Sequence, residues 1–277
     1  MQTKTAAAPK TSKRTLTISG LYVYPVKGCA GHSLKSADVT RRGLKDDRLY
    51  LIADAENKFV TQKEFPKMSL IQPGLSRAGL TLSAPGAELI DVPRLKQAQA
   101  TVQIWNDTCE AFDQGDEVAT WLTDFLGKPC RLFRKSDDHP RLCDQKYARP
   151  DDEVSFADAY PLMVINDASL RDLNTRLETA VPMNRFRPSL TVSSSLAYEE
   201  DRWLSLTSND VSLQVVKTCA RSVDVDQKTG QKGKEPLKTL STYRTVEGNR
   251  VVFGQNLVPR RLGTLFVGDR ISISYLE

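Results

Sequence analysis

Cys219-Ala220-Arg221-Ser222 puts a thiol, a guanidinium and a hydroxyl within one short stretch. Such a grouping suits an anionic ligand, a soft metal or a cofactor that combines both, since the cation balances negative charge while sulfur is a soft donor. Lys27 is a second candidate. It stands on a Gly-bearing turn, Tyr24-Pro25-Val26-Lys27-Gly28-Cys29, which sets a cation beside backbone N–H groups and suits phosphate. Read in isolation, Lys27 is equally a solvated loop lysine, and Asp47-Arg48 a surface ion pair that stabilises little. His139, in Asp-Asp-His-Pro-Arg, has no companion ligand nearby in sequence and reads as a lone exposed histidine.

The elements that must position these residues are mostly strands. Val211, Leu213, Val215 and Val216 mark an apolar strand that delivers the 219–222 stretch to a loop. Ile18, Leu21 and Val23 alternate on a period of two before Pro25 breaks the ladder. Further strands flank an Asp/Asn-rich turn at Ala55 to Lys58, a hairpin spans Gly74 to Gly86, and Thr101 to Trp105 reads as a strand. One helix is clear over Gly115 to Gly127. Val118, Trp121, Leu122 and Phe125 share a face there, acids crowd the first turn, and Gly127 can end it. Arg131 to Pro150 is polar and reads as a loop joining two halves. Pro161 to Ile165 looks like a buried strand, and Asn166 a cap for a helix over Ala168 to Glu178.

Composition narrows the class. With 277 residues, 40% hydrophobic and 26% charged, the chain has material for one large or two modest domains of an ordinary soluble protein. No run of eighteen apolar residues occurs, so no membrane span is expected. The net charge of +5 is mild, and no Lys/Arg block reads as a nucleic-acid tail. Five scattered cysteines and two histidines, with no C-x-x-C pair, argue against a disulfide framework and a structural zinc site, and for a reducing compartment. Cys109 and Cys130 read as small buried hydrophobes. Residues 1–14 carry basic residues and no acids, and read as a disordered tail, with a short transit peptide as the alternative.

From Val215 to Arg244 the chain resembles the central motif of the MOSC family, the domain of molybdenum cofactor sulfurases and amidoxime-reducing components, roughly C-x-R-C, V-D-x-x-T-G, then E-P-L-x-T-L-x-x-x-R. Cys219, Arg221, Val225, Asp226, Thr229, Gly230, Glu235, Pro236, Leu237, Thr239, Leu240 and Arg244 match. The turn at 24–29 is similar to the family's Y-P-V-K-S-C, residues 43–48 to R-G-L-x-x-D-R, and Arg185-Phe186-Arg187-Pro188-Ser189 to R-F-R-P-N. Phe253-Gly254-Gln255-Asn256 and Val267-Gly268-Asp269 continue the series. Each motif is weak alone; their order carries the resemblance, from Ile18 to Ile273. One departure stands out. The family's second cysteine, which binds molybdenum, is replaced by Ser222, and the loop up to Gly230 is shorter than usual.

The resemblance implies a mixed, mainly β fold: an N-terminal β-barrel-like domain over 15–130 packed on a β-barrel MOSC domain over 131–277, with peripheral helices. It implies a molybdenum cofactor between them, held by Lys27, Gly28, Arg48, Asn166, Ser169, Arg187, Ser189, Ala220 and Arg221. For the metal, three alternatives stay open: Ser222 as a hard ligand, Cys219 swung in through the shortened loop, or no metal bound. The implied activity is reduction of small N-hydroxylated substrates, with electrons from a separate flavin/haem or iron–sulfur protein, since the chain has no dinucleotide fingerprint and no cluster motif. The alternative is a MOSC protein that binds or carries a pterin or another anion without catalysis. The expected compartment is cytoplasmic, with mitochondrial as the second choice.

Overall fold

The computed structural model describes residues 11–76, 78–222 and 224–276. Its centre is a closed barrel of seven strands. In order around the ring these are Leu162–Asn166, Leu190–Ser193, Thr11–Val23, Arg270–Leu276, Trp203–Thr207, Ser212–Ala220 and Arg250–Arg261, the last pairing back to Leu162–Asn166. Alternation places Ile18, Leu21, Val192, Leu206, Leu213, Ile271 and Ile273 inside, where they form one apolar core. At Gly254 the closing strand runs with φ +83°, and an added Cβ would lie 2.8 Å from the carbonyl oxygen of Val164. The ring therefore closes at a residue that has to be glycine.

Against the barrel lies a second body. Its four-stranded sheet runs Tyr50–Asp54, Cys130–Lys135, Asp107–Asp113, Gln99–Ile104. Beside it the expected hairpin is a meander of three strands, Gln72–Leu75, Gly79–Ala84 and Ala87–Pro93. The helix is present over Asp116–Leu126 and ends on Gly127 in the left-handed region, as its sequence requires. The mainly β fold with few helices is thus as expected, and no helix among the described residues is long and apolar enough to cross a membrane.

Strand pairings cross the expected division at 130/131. The opening strand begins at Thr11 rather than Thr15, and its first half, Thr11 to Thr17, pairs with Arg270–Leu276. Residues 11–14 of the expected disordered tail are therefore barrel; residues 1–10 lie outside the described residues. The opening strand belongs to the barrel of the second half. Conversely, Arg131 to Lys135, expected to be loop, complete a central strand of the first-half sheet. That strand is buried on both faces, with Leu132 in one apolar cluster and Phe133 in another, so no polar alternation marks it. Its charged Arg134 and Lys135 are buried as well, which disguises it further.

Candidate functional site

A cleft of about 460 Å³ opens between the two bodies, and Lys27, Gly28, Arg48, Arg187, Ser189, Cys219, Ala220, Arg221 and Ser222 all line it. Each arrives on a local device. Lys27 follows the opening strand, and Gly28 beside it has φ +83° with Met68 Cε only 2.6 Å from where a Cβ would stand. Arg48 and Arg187 both hold left-handed backbone, at φ 46° and 55°. Non-glycine residues adopt it at a cost, and such sites cluster where function constrains the chain.

Tyr24 ties these two arginines together. The Arg48 and Arg187 guanidiniums lie 4.2 and 4.3 Å from its ring centroid, cation–π contacts that hold two like charges close. Buried Asp47 pairs with Arg48 and accepts from the Tyr24 N–H at 2.8 Å. Arg48 also donates to the Arg187 carbonyl at 3.2 Å. Burial pushes the Tyr24 hydroxyl up to about 12, and that hydroxyl is buried with no partner among the described residues.

Charge pairing separates the cations into two kinds. Lys27 Nζ meets Asp158 Oδ1 at 2.5 Å; burial lowers the lysine, while Lys27 holds the Asp158 carboxyl below the usual carboxylate range. Arg187 and Arg221 pair with no carboxylate among the described residues. Arg187 donates to the carbonyl of Cys29 at 2.6 Å and to Gln227 Oε1 at 3.2 Å, and burial, with Arg48 adding repulsion, brings it down to about 10. Arg221 Nη1 contacts Met163 Sδ at 2.9 Å and Cys219 Sγ at 3.2 Å, and Nη2 donates to the Phe186 carbonyl. Its Nε is buried without a partner among the described residues. Uncompensated guanidiniums with spare donors are what an anion would complete.

Two expected residues lie elsewhere. Asn166 does cap the helix Asp167–Thr175, accepting from the Ala168 N–H at 3.0 Å, but it is fully buried and its amide donates to the Leu196 carbonyl. Ser169 donates to Glu200 Oε2 at 2.8 Å. Neither lines the cleft: the Asn166 backbone N–H, at 3.4 Å, and the Ser169 hydroxyl both donate to the buried Glu200 carboxylate. Ser189 lines the cleft but is nearly sealed, its hydroxyl accepting from the Met163 N–H at 3.2 Å.

Other cleft residues carried no sequence signal of their own. Asp158 sits in a plain Ala-Asp-Ala. Gln62 and Gln227 exchange reciprocal amide bonds at 3.1 and 3.0 Å, joining the first half to the central loop. Trp105, 57% exposed and at φ 53° in a hairpin turn, meets Phe59 edge-on and donates to Asp158 at 3.1 Å. His139 is exposed, as expected, and Cys109 and Cys130 are buried. No group of three or more His, Cys, Asp or Glu among the described residues could hold a metal. A metal in this cleft would need donors from its own organic ligand.

The site is thus a cationic cleft between a β-barrel and a second β body, with residues 219–222 on its wall. The chain belongs to the MOSC family: a MOSC N-terminal beta barrel domain matches residues 15–129 and a MOSC domain residues 151–272. Among its relatives is the mitochondrial amidoxime-reducing component 1 of Homo sapiens, 34% identical over 276 residues, covering 92% of this chain and 82% of that protein. The molybdenum cofactor sulfurase of Danio rerio is 32% identical over 266 residues, covering 86% of this chain but 31% of that protein. Among solved structures, the YUAD protein of Bacillus subtilis aligns with a TM-score of 0.46 at 10% identity, over 97% of this chain and 100% of that one.

Proposed function

We propose that this chain is a molybdenum-cofactor-binding oxidoreductase of the amidoxime-reducing type, acting on small N-hydroxylated substrates. One observation carries the reading: basic residues from four distant segments, Lys27, Arg48, Arg187 and Arg221, converge on a single cleft, and two of them have no carboxylate partner among the described residues. Relatives named amidoxime-reducing components at 30–34% identity agree with it.

The residues fit the anionic, pterin-bearing part of the group. Arg187 and Arg221 would hold its phosphate and polar ring edges, Arg48 and Tyr24 would keep Arg187 in place, and Gly28 would keep the Lys27 turn packed on Met68. Lys27 would be shared between the ligand and Asp158. When bound, the cofactor supplies two-electron reduction at its metal. The chain's own part is to orient the group, wall it from water with Phe59, Trp105 and Met163, and balance its charge. Electrons would come from a separate flavin/haem or iron–sulfur partner protein. The compartment is cytoplasmic or mitochondrial, and cell fractionation separates the two.

A second reading is a non-catalytic pterin or anion carrier. It is favoured by Ser222, which stands exposed where the family has its ligating cysteine. Elemental analysis for molybdenum, with oxidised-pterin fluorescence, on protein from a cofactor-making host separates them. Near-stoichiometric metal with pterin supports the reductase, and pterin without metal supports the carrier. Neither, in a folded sample, removes both.

A further inference from the structure

We infer that Cys219, not Ser222, is the protein donor to the metal; this rests on the cofactor reading above. Ser222 lies beyond the strand Ser212–Ala220, exposed, with a hard oxygen to offer. Cys219 is still on the strand, at a place where the register against Arg250–Arg261 breaks between Thr218 and Ala220. A bulge of this kind next to a site re-aims a side chain out of the normal alternation. Here it turns Cys219 into the cleft wall rather than wholly into the apolar cluster behind it.

The surroundings match that task. Arg221 Nη1 bridges Cys219 Sγ and Met163 Sδ, at 3.2 and 2.9 Å, so a cation is already in contact with the sulfur and would offset the negative charge it carries as a thiolate ligand. The neighbouring Nε is buried and has no partner among the described residues, a donor left over for the anionic group. Soft sulfur outranks a serine oxygen for a thiolate-ligated metal. Cys29, Cys109, Cys130 and Cys143 are buried, and Cys219 alone among the cysteines is partly open. On ligation the S–H bond gives way to a sulfur–molybdenum bond, the proton passes to solvent, and no electron moves.

The exposure pattern supplies a readout independent of activity. In native protein, N-ethylmaleimide should label Cys219 alone, verified by peptide mass spectrometry. Loading with cofactor should slow that labelling about tenfold or more, because the metal occupies the nucleophilic thiolate. X-ray absorption at the molybdenum edge should lose one sulfur neighbour in Cys219→Ser, with pterin content retained, and should be unchanged in Ser222→Ala. If loaded wild type carries metal and pterin yet Cys219 labels as fast as in the empty protein, the inference is overturned and the proposed function stands. The inference is equally overturned, with the proposed function intact, if Ser222→Ala, and not Cys219→Ser, alters the metal's shell. Absence of pterin from loaded wild type overturns both.

Discussion

Replacing Arg187 with Met tests whether this buried cation is held for a ligand or for the fold. Its guanidinium is brought from 12.5 to about 10, which at about 1.4 kcal/mol per unit is about 3 kcal/mol against the folded state. The folded value lies below the unfolded one, so that cost is present in full below about pH 10 and is relieved only above it. Opposing it are the hydrogen bonds to the Cys29 carbonyl and Gln227 at 2.6 and 3.2 Å, about 1 kcal/mol each. Stacking on Tyr24 at 4.3 Å adds about 1 kcal/mol. These contributions nearly cancel, and Arg187→Met should leave stability from urea unfolding within about 1 kcal/mol of wild type, with m unchanged. Anion binding has no such compensation. Losing one charge-assisted pair costs about 2–3 kcal/mol, and affinity for inorganic phosphate at low ionic strength, followed by calorimetry, should fall about 30- to 150-fold. A variant that lost about 3 kcal/mol of stability while binding phosphate as wild type does would refute the reasoning, and would make Arg187 a structural residue.

Three further outcomes follow from the packing. Burial lifts the Glu200 carboxyl to about 7 from 4.5, so the folded state loses stability as pH rises from about 4.5 through about 7. Glu200→Gln should then match wild type near pH 4 and exceed it by up to about 3 kcal/mol at pH 8; parallel urea-unfolding curves across that range would count against it. Gly254→Ala places a Cβ 2.8 Å from the Val164 carbonyl at φ +83°, and should cost about 2 kcal/mol or more in chemical denaturation. A fragment of residues 131–277 lacks the strand Thr11–Val23, leaving the barrel open between Leu190–Ser193 and Arg270–Leu276. It should show no cooperative thermal transition by circular dichroism, and a monomeric fragment that melts sharply would sink that view.

Much was legible in the chain itself. The helix 116–126 announced its face, its acidic first turn and its terminating glycine, since all three depend on residues a few positions apart. The cap at Asn166 was legible for the same reason. Lys27 and Arg221 could be picked out from their sequence neighbours, a Gly-bearing turn and a nearby thiol, whereas Arg48 and Arg187 were candidates only through the resemblance of their motifs to the family's. The strand Cys130–Lys135 could not, because a strand buried on both faces has no period to read.

Local pattern, then, determined which residues were candidates and which elements carry them. Tertiary structure decided the rest. It assigned the opening strand to the barrel of the other half, because the pairing of positions 11–17 with 270–276 joins residues too distant for any local signal to encode. It turned Asn166 and Ser169 toward Glu200 and away from the cleft, since a helix start specifies a cap but not what the helix faces. It also separated the cations, giving Lys27 to Asp158 and leaving Arg187 and Arg221 without a carboxylate among the described residues. Whether a charge is already paired is a distance between remote residues, and only the folded chain sets it.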